Sequence, residues 1–89
     1  GAAHMTKTIT VRYFASIREA MGTGEETWAT TAPTVAALRQ ELAGRSAQAA
    51  LALAEDQPVR LALNQAMCPP DAPIAPGDEV AFFPPVTGG

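Results

Sequence analysis

The chain has 89 residues, six Lys and Arg against nine Asp and Glu, a net charge of −3, and a single cysteine. A chain this short builds one core, which excludes a two-domain enzyme. The acidic balance argues against a nucleic-acid partner, because binding to phosphate backbones runs on Lys and Arg displacing counterions; no apolar run is long enough to cross a bilayer, so no membrane partner is expected.

Gly1 to His4 ahead of Met5 read as a cloning remnant, which sets aside the only histidine, and the natural chain is expected to start at Met5. One cysteine forms no internal disulfide and no export signal precedes Met5, so the cytoplasm is the expected compartment. Of the hydrophobic residues 19 are Ala, so core volume must come from the Leu, Val, Ile and aromatic positions.

In chain order, Ile9, Val11 and Tyr13 alternate with Thr8, Thr10 and Arg12, the period of a half-buried strand over Thr8 to Tyr13. Phe14 falls on the opposite parity, either capping the strand end or exposed on the other face. Ala15 to Met21 reads as a short helical turn ended by Gly22, and Glu25 to Thr30 as a second strand centred on Trp28. Thr34 caps a main helix whose Val35, Leu38 and Leu42 share one face, with Gly44 as its stop. Ser46 caps a shorter helix through Glu55, with Ala47, Ala50, Leu51 and Ala54 as its apolar stripe.

Val59, Leu61 and Leu63 alternate with Arg60, Ala62 and Asn64 as a third strand. Pro69, Pro70, Pro73 and Pro76 then exclude regular structure over a long crossing. Pro76-Gly77-Asp78 fits a tight turn into a last strand, Glu79 to Phe83, with Val80 and Phe82 on one face and Ala81 and Phe83 on the other. Strand, strand, helix, strand, strand, with helices on one face of a mixed sheet, makes an α+β fold. Parallel pairing of the first and last strands at the centre gives the β-grasp, ubiquitin-like arrangement, a pairing that periodicity alone leaves open.

Without a natural His, and with Cys68 alone, the chain carries no zinc constellation, no Cys/His pair and no Ser/His/Asp triad. Gly22 and Gly24 lack phosphate-loop spacing. The expectation is a chain that is not an enzyme on its own and binds no metal and no stable cofactor.

The chemistry is expected in the tail. After Phe83 come Pro84-Pro85-Val86-Thr87-Gly88-Gly89, and two prolines hold the backbone extended and out of the sheet. Six extended residues reach roughly 20 Å, and Gly88 and Gly89 pass where a Cβ would not. A terminal carboxylate with a pKa near ~3.5 is ionised and a poor electrophile, so a partner must activate it. Adenylation with ATP makes a mixed anhydride at Gly89, open to a sulfur, nitrogen or oxygen nucleophile.

Pro76 to Gly89, reading PGDEVAFFPPVTGG, and Val11 to Glu19, reading VRYFASIRE, resemble the closing and opening segments of the molybdopterin synthase small-subunit family, and the likeness in length and element order spans Met5 to Gly89. The resemblance implies a β-grasp domain over Met5 to Phe83 with an extended tail, Pro84 to Gly89. It implies a sulfur carrier whose Gly89 is adenylated by a ubiquitin-activating-like enzyme using MgATP and then converted to a thiocarboxylate. The synthase large subunit is the implied second partner, in a heterotetramer around a large-subunit dimer, with cyclic pyranopterin monophosphate as sulfur acceptor.

Phe83, Phe14 and Met67 lie off the core phase of their strands and are expected to contact the large subunit, with Pro84, Pro85, Val86 and Thr87 as the tail that enters it. The alternative is a one-residue slip that places all three in the core. Cys68 reads as incidental, Trp28 as a core or sheet-face aromatic, and Arg12, Arg39 and Arg60 as solvated or paired with an acidic partner surface. Glu25-Glu26 and Glu55-Asp56 read as solvated. Two other functions fit the same tail or fold: a carrier for thiamine or tRNA thiolation, or a protein modifier; and an interaction module with an inert tail.

Overall fold

The computed structural model describes residues 6–85. The expected remnant Gly1 to His4, the expected start at Met5, and the tail positions Val86, Thr87, Gly88 and Gly89 lie outside the described residues.

Five strands form one sheet. β1 (Lys7–Tyr13) runs antiparallel to β2 (Glu25–Thr30), with Ile9 opposite Trp28, and parallel to β5 (Glu79–Phe83), with Tyr13 opposite Phe82. β3 (Arg60–Leu63) pairs antiparallel with β5 and with β4 (Ala66–Met67), giving the order β2-β1-β5-β3-β4. The first and last strands thus meet in parallel at the centre, the β-grasp arrangement. The second strand starts and ends where its sequence pattern does.

β4 was not foreseen. The chain reverses after Leu63 through Asn64 at φ 52° and Gln65 at φ 69°, a two-residue hairpin turn with both residues left-handed. The Asn64 side chain supports the turn, donating to Asp78 Oδ1 and accepting from the Glu79 amide at 2.9 Å. Asn64 belongs to the turn, where Asn tolerates positive φ, rather than to the polar side of the third strand.

Three helices cover one face. α1 (Ala15–Met21) points Ile17 inward and stops at Gly22, which takes φ 80° and returns its amide to the Arg18 carbonyl. α2 (Val35–Ala43) begins where the Thr34 hydroxyl accepts from the Ala37 amide, and buries Val35, Leu38 and Leu42 completely. α3 (Ala47–Leu53) is capped by Ser46, whose hydroxyl accepts from the Ala49 amide at 3.0 Å.

The phase and the end of α3 differ from the sequence reading. It stops at Leu53 instead of Glu55, and it buries Ala49 and Leu53 while Ala47, Ala50 and Leu51 are exposed. An Ala-rich segment has apolar residues on every side, so its inward face is chosen by what it packs on. Packing on α1 and α2 makes that choice, and Arg39 of α2, expected to be solvated, donates to the carbonyls of Leu53, Ala54 and Gln57 and caps the end of α3. That half-buried position lowers the guanidinium pKa from its ordinary value, through desolvation first.

Between the layers lies a core in which Val11, Val35, Leu38, Leu42, Val80 and Phe82 have no exposed surface. Tyr13 stacks against Phe82, ring centroids 6.3 Å apart. The Pro-rich crossing adds Ala72 and Ile74 from its inner side, and its last turn closes with Gly77 at φ 83° and the Asp78 amide donating to the Ala75 carbonyl. That is a type II turn, with proline and then glycine in its two central positions.

Candidate functional site

The helices leave the other face of the sheet open, and the alternation of each strand decides what it displays. Ile9, Val11 and Tyr13 face the core, so Thr8, Thr10 and Arg12 face outward, and the chain turns at Phe14 into α1 through Ala15 at φ 52°. Val80 and Phe82 face inward, so Ala81 and Phe83 face outward. Leu61 faces inward, so Arg60 and Ala62 face outward, and Met67 stands opposite Ala62 on the same side.

Phe14, Phe83 and Met67, expected to lie off the core, all fall on this open face. Phe14 is 39% exposed and Met67 60%, while Phe83 is half-buried. The slip that would have put them in the core does not occur. Phe14 and Phe83 meet edge to face, ring centroids 6.1 Å apart and planes at 89°. Met67 stands two strands from Phe83, and the cross-strand pair Ala62 and Ala81 forms a low floor between them, with little of either alanine exposed.

Charges border the aromatic pair. The Arg12 guanidinium stands 5.2 Å from the Phe14 ring centroid, with its Nε 3.4 Å from Glu25 and its Nη1 3.8 Å from Glu79. It therefore stands between carboxylates of the two flanking strands while remaining partly exposed. Arg60 lies directly opposite Phe83 in the β3–β5 register and is exposed. Strand parity puts Arg60 and Phe83 out of phase with the core residues next to them, while the β3–β5 register that sets them side by side comes from the fold.

The chain leaves the sheet at this same end. The Phe14 amide donates to the Phe82 carbonyl, carrying the parallel ladder to the last residue pair, and Pro84 and Pro85 follow at once. On their helix side, Pro84 and Pro85 line an open, mainly apolar groove of about 360 Å³ with Ile17, Ala20, Leu51 and Val59 among its walls. Leu51, placed on the buried stripe by sequence, is 74% exposed here. The remaining site positions, Val86, Thr87, Gly88 and Gly89, lie outside the described residues.

The other polar residues hold the fold. Glu26, expected to be solvated, accepts from the Tyr13 hydroxyl at 2.6 Å and pairs with Arg45 at 2.5 Å, while Arg45 stacks 4.5 Å from the centroid of Trp28. Trp28 in turn donates to Glu41 at 2.6 Å. Burial first, and then the Glu26 carboxylate, push the Tyr13 hydroxyl far above the ordinary tyrosine pKa. Glu55 accepts from the Gln40 amide. Burial also raises the Cys68 thiol, the opposite of what a nucleophile needs. Among the described residues no cluster of three His, Cys, Asp or Glu side chains could hold a metal ion, and no helix is long and apolar enough to cross a membrane.

The ThiS family matches residues 11–89 of the chain. The chain is 52% identical over 81 residues to the molybdopterin synthase sulfur carrier subunit of Escherichia coli (strain K12), covering 91% of this chain and 99% of that one. A Haloferax volcanii protein solved in solution is 27% identical, with a TM-score of 0.81, over 100% of this chain and 98% of that one. A chain of the protein-protein complex of subunits 1 and 2 of the molybdopterin-converting factor from Helicobacter pylori 26695 is 26% identical. Its TM-score is 0.60, over 92% of this chain and 99% of that one.

Proposed function

The chain belongs to the ThiS family and within it to the molybdopterin synthase sulfur carrier subunits, and on that premise we propose that Gly89 carries the sulfur as a thiocarboxylate. A ubiquitin-activating-like enzyme joins the Gly89 carboxylate to the AMP portion of MgATP with loss of pyrophosphate. A sulfur nucleophile then displaces AMP. The synthase large subunit receives the tail, and cyclic pyranopterin monophosphate accepts the sulfur. Two sulfurs per dithiolene call for two carriers, consistent with a heterotetramer around a large-subunit dimer. The reaction belongs in the cytoplasm.

One observation carries this reading. The strand that ends in Phe83, against Phe14 on the open face, runs without interruption into Pro84 and Pro85, so the docking face and the root of the tail form one surface. A partner that seats on Phe14, Phe83 and Met67 receives the tail at a fixed place. Pro84 and Pro85 set the direction in which the chain leaves the sheet, and six residues, if extended, would span roughly 20 Å toward a partner's active site. The low floor of Ala62 and Ala81 leaves room for a partner side chain between Met67 and the aromatics. Pairing of subunits 1 and 2 in the Helicobacter pylori complex supports the choice of partner.

The test is the intact mass of the protein after incubation with an activating enzyme, MgATP and a sulfur source. The expected result is a gain equal to exchanging one oxygen for sulfur, absent in a control lacking Gly89. Deletion of Gly88 and Gly89 should abolish sulfur transfer and leave the urea midpoint unchanged. No mass gain with an enzyme active on another carrier, or full activity after the deletion, would overturn the reading in favour of a protein modifier or a passive module.

A further inference from the structure

We propose that the partner surface covering the open sheet face carries a carboxylate set against Arg60, so that the large subunit recognises this carrier through one charged pair as well as through apolar fit. The proposal rests on the docking face assigned above and adds the chemistry of its partner. Arg60 stands directly opposite Phe83 in antiparallel register, a spacing of about 5 Å between Cβ atoms. Phe83 in turn contacts Phe14. A surface that closes over the aromatic pair and the tail root therefore closes over Arg60 too.

The cations of this face differ in their neighbours. Arg12 lies between Glu25 and Glu79 and stacks on Phe14, so its charge is already answered within the chain. Arg60 makes no ion pair and no side-chain hydrogen bond among the described residues, and it is exposed. In the free carrier water solvates it at no cost. Removing that water without a replacement leaves an uncompensated guanidinium and offsets much of what covering two phenylalanines gains. A carboxylate resolves this best, because its two oxygens match the planar donors of the guanidinium.

The test measures binding to the large subunit between about 0.05 and 0.3 M salt, for the wild type, Arg60→Met, Arg60→Glu and Phe83→Ser. Each variant is first shown to retain the far-UV circular dichroism spectrum of the folded protein. We expect Arg60→Met to weaken binding about 10- to 100-fold at low salt and to flatten its salt dependence, with Arg60→Glu weaker still. Phe83→Ser should weaken binding while preserving the wild-type salt slope. Wild-type affinity and salt slope for Arg60→Met, alongside loss of binding for Phe83→Ser, would overturn the charged pair and leave the docking face standing. Wild-type binding by both would overturn the face and the pair together.

Discussion

Tyr13 shows how one side chain can serve both layers of the molecule. Its ring is core, stacked on Phe82, while its hydroxyl reaches the rim and donates to Glu26, which also holds Arg45. Burial and the neighbouring carboxylate both disfavour the phenolate, so the folded protein keeps this proton to a higher pH than the unfolded chain, where it leaves near pH ~10. Above that pH the unfolded state binds fewer protons, and stability falls as pH rises, by up to about 1.4 kcal/mol per pH unit for one group. Urea midpoints measured across this alkaline range should therefore decline, and more steeply for the wild type than for Tyr13→Phe. Cys68 shifts in the same direction and is present in both, so the difference between the two curves isolates Tyr13.

At the scale of elements, α3 depends on what surrounds it. It is seven residues long, its sequence is rich in Ala, and its apolar residues do not define one face. A helix this short is marginal in water without tertiary support. Ser46 fixes its start and Arg39, from α2, holds its last carbonyls. Arg39→Met keeps the stem and removes the donors, leaving carbonyls of Leu53, Ala54 and Gln57 without them. It should lower stability by about 1–3 kcal/mol by urea denaturation, against less than about 0.5 kcal/mol for the exposed Arg18→Met. Equal effects would show that α3 is held by Ala49 and Leu53 packing alone.

For the whole molecule, the decisive feature is that the last strand is central. β5 lies between β1 and β3 and supplies Val80 and Phe82 to the middle of the core. A chain ending at Asp78 loses both side chains, exposes the inner edges of two strands, and should lack a cooperative unfolding transition by circular dichroism. Loss of the terminal glycines should cost nothing in the same measurement. The contrast separates the part of the C-terminus that builds the fold, through Phe82, from the terminal Gly88 and Gly89, although only five residues, Phe83 to Thr87, stand between them.

The sequence by itself determined the elements whose cause is local. Alternation set β1, β3 and β5, the caps Thr34 and Ser46 set two helix starts, and Gly22 and Pro76-Gly77 set two reversals. Parity alone placed Phe14 and Phe83 off the core phase. Tertiary structure decided what depends on a neighbour distant in the chain. The parallel pairing of β1 with β5 needed both ends of the chain in one place, and the inward face of α3 needed α1 and α2. The functions of Arg39, Glu26 and Arg12 needed the carbonyls, hydroxyl and carboxylates that folding brings to them. Periodicity reports which side of an element is apolar, while only packing reports what stands opposite, so the outward parity of Phe14 and Phe83 was legible in the sequence and their edge-to-face contact was not.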